Sequence, residues 1–173
     1  MTSTAIVTVL GEDRPGLVAA ITRCLWELGV NLTDTSFSVL GAGADFSAVC
    51  ELPAGLGVQE VSAALQGTAE LADVEISVRP YLYDSLHGPE GDVTHRIEVS
   101  GGDQPGLIAR LCETFVEFKA NIVSLNAGPL ARDHDRYVIR LSVWLPNAAA
   151  EACIATVTNT AQALGLSCVA ERV

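Results

Sequence analysis

The sequence predicts an α+β chain built from two copies of one βαββαβ unit, and three observations predict it. Laid on itself at an offset of 90 residues, Thr4–Asn31 pairs with Thr94–Asn121 without a gap, and ten positions are identical: Thr4, Val9, Gly11, Asp13, Pro15, Gly16, Leu17, Ala19, Glu27 and Asn31. Turn residues and apolar phase persist together, which marks a duplicated structural unit. Within each copy, apolar residues switch between period two and helical spacing in the order strand, helix, strand, strand, helix, strand. The 173 residues suffice for two domains of that size. Two helices that each need cover on one stripe imply a four-stranded antiparallel sheet with both helices on one face, the ferredoxin-like arrangement. The crossovers are expected to be right-handed.

In the first copy, Ile6 to Leu10 is a β-branched run that stops at Gly11. Leu17, Ile21, Leu25 and Leu28 then recur at helical spacing until Gly29, a C-terminal cap signal; Leu107, Leu111, Phe115 and Phe118 repeat the stripe in the second copy. Strands Leu32 to Leu40 and Phe46 to Leu52 flank Gly41-Ala42-Gly43, a hairpin signal. Leu52-Pro53 corresponds to Leu145-Pro146, so the offset grows to 93 and a three-residue insertion belongs to the second hairpin. The second helices carry Val58, Val61 and Leu65 in one copy and Ile154, Val157, Ala161 and Leu164 in the other. Val74 to Leu82 and Leu166 to Val173 are the last strands. Residues 84–92, rich in glycine, proline and polar groups, form the linker between domains at 1–83 and 93–173. So short a linker keeps the copies side by side, and if their edges or helices pair, the chain becomes a pseudo-dimer with two related clefts at the joint.

Composition narrows the function classes. Half the residues are apolar (49%) and 18% are charged, which excludes a disordered chain. Arg14, Arg23, Glu27, Asp34 and Asp45 interrupt the early apolar runs, so no segment reaches the roughly 18 residues of a membrane span. MTSTAIVTVLGEDRPG has no basic region ahead of an apolar stretch and does not read as a signal peptide; the expected location is the cytoplasm. The net charge is −11, with −9 up to Glu90 and −2 after it, and no basic face, helix-turn-helix or zinc finger can be read. Direct nucleic-acid binding is not expected. Five cysteines without a CxxC pair read as small buried hydrophobes, and His87, His95 and His134 share no metal spacing. Trp26 and Trp144 are expected to fill cores or interfaces. The sequence shows no catalytic constellation, no GxSxG elbow and no P-loop, so neither enzyme activity nor a cofactor or metal is expected.

The repeated turn carries the chemistry. Gly11-x-Asp13-x-Pro15-Gly16 and Gly101-x-Asp103-x-Pro105-Gly106 each join a strand to a helix. Free N–H groups and the positive end of the dipole attract a carboxylate there, and a glycine lets the ligand come close to the backbone. The competing account is purely structural: proline and glycine make a tight turn and Asp13 caps the helix. Asn31 and Asn121, at the start of the next strand, are expected to lie beside the helix start and add an amide to the same cleft. Such a cleft suits a small zwitterion.

The stretch GEDRPGLVAAITRCLWELGVNLTDTSFSVLG resembles an ACT domain, and two such domains in tandem resemble the glycine cleavage system transcriptional repressor family. The resemblance implies two regulatory modules, packed as a pseudo-dimer, that bind an amino acid such as glycine. It points to Asp13, Arg14, Gly16, Leu17, Asn31 and Leu32 in the first copy, and to Asp103, Gly106, Leu107, Asn121 and Ile122 in the second. Gln104 replaces Arg14 and Ser124 replaces Asp34, so the two sites differ in chemistry. The implied function is amino-acid sensing that controls a transcription factor by protein contact, in glycine or one-carbon metabolism. The alternative is a stand-alone binding module that regulates a metabolic enzyme. A homodimer is among the expected assemblies. The charged cluster from Arg132 to Arg136 reads as a solvated hairpin tip or a partner contact.

Overall fold

A computed structural model describes residues 3–84, 88–130 and 133–173. The chain divides into two compact units, Met1–Ser85 and Leu86–Val173. The first contains β1 (Ser3–Glu12), α1 (Leu17–Glu27), β2 (Asn31–Leu40), β3 (Gly43–Leu52), α2 (Val58–Gln66) and β4 (Glu75–Pro80). The second contains β5 (His95–Gly101), α3 (Leu107–Glu117), β6 (Asn121–Leu130), β7 (Asp133–Trp144), α4 (Ala150–Ala163) and β8 (Ser167–Arg172). Each sheet is antiparallel, in the orders β2-β3-β1-β4 and β6-β7-β5-β8, so each unit has the βαββαβ order and ferredoxin-like sheet expected.

Each unit has its own core between helices and sheet. Ala5, Val7 and Val9 of β1 and Phe46, Ala48, Cys50 and Leu52 of β3 share one side of the first sheet and pack with Leu17, Ile21, Leu25, Val61 and Leu65. In the second unit Ile97, Val99, Ile139, Leu141 and Val143 meet Leu107, Leu111, Phe115 and Val157. Alternation with period two sends every other residue to the opposite, helix-free face of each sheet, where Val49 and Val138 are nevertheless buried. The last strands are shorter than expected, Glu75–Pro80 for Val74 to Leu82 and Ser167–Arg172 for Leu166 to Val173. On α4, Cys153 takes the fully buried place expected for Ile154, which is half-buried. Trp26 does not fill the core: it is 73% exposed on α1, which leaves only the interface part of the expectation.

Both copies bulge at the same point, at Thr33 between Leu32 and Asp34 and at Val123 between Ile122 and Ser124. The inserted residues also find their place. Pro129 pairs with Tyr137 and Leu130 with Asp133, which leaves the three residues 134–136 unmatched on β7. Linker residues His87 and Ser85 and the hairpin residue Arg132 lie outside the described residues.

Candidate functional site

The helix-start turn is the same object in both copies. Gly16 precedes α1 with φ 90° and Gly106 precedes α3 with φ 80°, left-handed conformations that favour glycine. A Cβ at either would meet nothing within 4 Å, so the backbone there faces open space. No side chain caps either helix, so the capping role considered for Asp13 is not realised. Leu17 N–H donates to the Arg14 carbonyl at 3.3 Å and Ala20 N–H to the Gly16 carbonyl at 2.9 Å, while the Val18 and Ala19 amides have no place in the intrahelical ladder. Gly11 and Gly101 have a different reason to be glycine. A Cβ would fall on the side chain of Val74 at the first and of Leu166 at the second, where the last connection crosses the strand end.

Arg14 and Gln104 differ in type and do one job. The Arg14 Nη2 donates to the Glu70 carbonyl at 2.7 Å, and the Gln104 Nε2 donates to the Leu164 carbonyl at 2.9 Å. Each ties its turn to the segment after the second helix. Around the first turn, Arg14, Pro15, Gly16 and Leu17 line a hollow of about 340 Å³ with Ala69, Glu70 and Asp73. The Glu70 carboxylate accepts from Arg23 at 2.6 Å, which holds its carboxyl below the usual range and raises the Arg23 pKa. Glu70 and Asp73 carry no sequence signal of the site, because they sit nearly sixty residues from the turn in a segment with no motif. The second turn has Leu164 and Gly165 on that side and no carboxylate among the segment's described residues.

The asparagines are elsewhere. Asn31 lies opposite Glu51, which lies opposite Thr4, whereas the turn leaves β1 at Glu12 opposite Gly43. Eight strand residues separate these ends, about 27 Å at the rise of an antiparallel strand. The expectation that Asn31 lies beside its own helix start is therefore corrected: α1 runs back along the sheet, so β2 begins at the far end. Asn121, opposite Trp144, is likewise remote from Gly106. No single unit brings its turn and its asparagine to one small ligand. The Asn31 amide donates to the Glu51 carboxylate at 3.0 Å and the Asn121 amide to the Glu90 carbonyl at 2.8 Å. Leu17 and Leu107 are buried, and Leu32 and Ile122 pack against the cores, so their side chains are structural. Asp13 and Asp103 are exposed at the turns.

Among the described residues no group of three His, Cys, Asp or Glu side chains could hold a metal ion, and no helix is long and apolar enough to cross a membrane. All five cysteines are unbridged; burial pushes the Cys50 and Cys153 thiols up to about 11, away from nucleophilic use.

Residues 3–79 match the family model described as ACT domain. The first unit matches the ACT domain and the second repeats its βαββαβ fold, so the chain carries that fold twice. It is similar to the glycine cleavage system transcriptional repressor of Escherichia coli strain K12, with 26% identity over 133 residues, 76% of this chain and 67% of that protein. A UPF0237 protein of Listeria monocytogenes is 29% identical over 85 residues, 48% of this chain and 96% of its own length. The crystal structure of an unknown protein from Galdieria sulphuraria shares the fold across 100% of this chain and 99% of that one, with a TM-score of 0.76 at 21% identity.

Proposed function

We propose that the chain is an amino-acid-sensing regulator that holds a small amino acid at its helix-start turns and controls a transcription factor by protein contact, in glycine or one-carbon metabolism. The observation that carries this reading is the left-handed glycine turn, formed twice, whose glycine borders open space and whose helix has no side-chain cap. A carboxylate there meets N–H donors and the positive end of the helix dipole. In the first unit the ligand's ammonium group has Asp73 across the hollow, while Glu70 is already held by Arg23. The first turn is thus the better zwitterion site. Similarity to a transcriptional repressor supports the regulatory role, and a charge of −11 argues that the role runs through a protein partner rather than through DNA phosphates. The bound amino acid can bias the regulator only by its difference in affinity between two states.

The test starts with melting of the full chain against glycine, L-serine, L-alanine and L-aspartate. A ligand at roughly a hundred times its Kd adds about 2.7 kcal/mol to stability. Asp73→Asn should weaken the shift while leaving the unliganded melting temperature in place. If no amino acid shifts melting at millimolar levels, the ligand site is lost. Mobility shifts of promoter DNA then address the output. Retardation by a transcription factor that changes with this protein and with amino acid supports the proposal, and tight DNA binding by the protein alone sinks it.

A further inference from the structure

The open face of the second sheet carries a concavity of about 470 Å³ that belongs to neither turn. Its floor is two rungs of side chains set by register. One rung runs Val169, Glu98, Arg140, Asn126 across β8, β5, β7 and β6, and the next runs Glu171, Arg96, Ser142, Ser124. The first rung is closed internally, since Arg140 Nε donates to the Glu98 carboxylate at 2.9 Å. The second is not. Arg96 and Glu171 stand directly opposite each other and form no ion pair among the described residues. Equivalent positions in the first unit, found by the same pairing, hold Arg79, Ile6, Val49 and Asp34 in that rung and Ser77, Thr8, Ser47 and Ser36 in the other. The central arginines and Glu98 are thus particular to the second unit.

We propose that this concavity is a second ligand site, for a zwitterionic amino acid that is larger than glycine. The four charged groups sum to zero and are arranged as a dipole, with a free guanidinium beside two hydroxyls and a free carboxylate one strand away. A carboxylate ligand group takes Arg96, Ser142 and Ser124; an ammonium group takes Glu171. A dianion would meet Glu98 and Glu171, and a simple cation would meet Arg96, so a neutral dipolar molecule fits best. The volume is of the size that holds small molecules and leaves space for a side chain against Val169. The site is independent of the turns, and the chain would then read two amino-acid signals on different surfaces.

Amide chemical shifts of the isotope-labelled full chain, titrated with glycine, L-leucine and L-glutamine, separate the two sites. Saturable shifts along β5, β7 and β8 with L-leucine or L-glutamine, weakened roughly ten-fold or more by Arg96→Gln, are expected. Arg96 is exposed, so the variant should fold as the parent does. Glu171→Gln should weaken the same shifts and leave those at Gly16 to Ala19 alone. The absence of saturable shifts on these strands with any of the three probes overturns the proposal, as do shifts that survive Arg96→Gln unchanged. Shifts confined to the turn would remove this site and leave the turn reading standing; shifts confined to the strands would do the reverse.

Discussion

Superposed by register, the two units agree on the side of the sheet that faces the helices and part company on the other. Val7, Val9, Phe46 and Ala48 answer to Ile97, Val99, Ile139 and Leu141, all buried. On the helix-free side Ile6, Thr8, Ser47 and Val49, the last of them buried, answer to Arg96, Glu98, Arg140 and Ser142. Even within the cores identity is loose while filling is kept: the fully buried phenylalanine is on the sheet in the first unit, as Phe46, and on the helix in the second, as Phe115. Close packing against the helices constrains volume and phase, whereas the helix-free side of the sheet is half-buried in the first unit and carries exposed Arg96, Glu98 and Arg140 in the second. Chemistry particular to one unit is therefore to be sought on the open face and at the turn, where side chains are free to differ.

The glycines offer the strongest way to break the likeness between copies. Gly11→Ala and Gly101→Ala should each destabilise their own unit by about 2 to 3 kcal/mol, since a methyl group would overlap Val74 or Leu166. Gly16→Ala and Gly106→Ala meet no neighbour and should cost only the left-handed backbone term, about 1 to 2 kcal/mol. Denaturant unfolding combined with hydrogen exchange in each unit checks the ranking; an equal cost at Gly16 and Gly11 would show that space, not φ, was misjudged.

A smaller effect tests a place where the second copy is the worse one. Lys119 has φ 54° where the first copy has Gly29 with φ 73°. Lys119→Gly should stabilise the second unit by up to about 1 kcal/mol, the relief of a left-handed residue less the added freedom of the unfolded chain. A loss of stability would mean the lysine side chain contributes more than its backbone strain costs.

The smallest expected effect is in acid. His95 is buried in the second unit at the position of Ala5, and burial, with Arg172 nearby, lowers its pKa below 6.5. A group that is harder to protonate when folded costs nothing above its unfolded pKa, so stability is retained above about pH 6.5 and declines as pH falls from there through the folded pKa. His95→Ala, which installs the first unit's residue, should flatten that part of the profile of the second unit. An unchanged slope would assign the acid sensitivity to carboxylates instead.

Much of this is legible in the sequence. The offset of 90 between Thr4–Asn31 and Thr94–Asn121, the switch of apolar period and the glycine-proline punctuation determined two βαββαβ units, their element order and the turns on which the proposed ligand chemistry rests, because those signals are local and backbone-driven. Even the inserted residues 134–136 showed in the change of offset to 93. Distance was not legible. That Asn31 begins a strand said nothing of its lying at the end of the sheet remote from the turn, since the direction in which a helix returns along its sheet is settled by packing. Nor could Arg14 and Gln104 be known to perform the same tie, because their acceptors, the carbonyls of Glu70 and Leu164, are brought to the turn by a distant connection. Arg96, Ser142, Ser124 and Glu171 come from four separate strands, and only the hydrogen-bonded register sets them in one rung. Local periodicity thus determined which elements form and which face of each is apolar, while the pairing of strands distant in sequence decided which side chains can share a ligand.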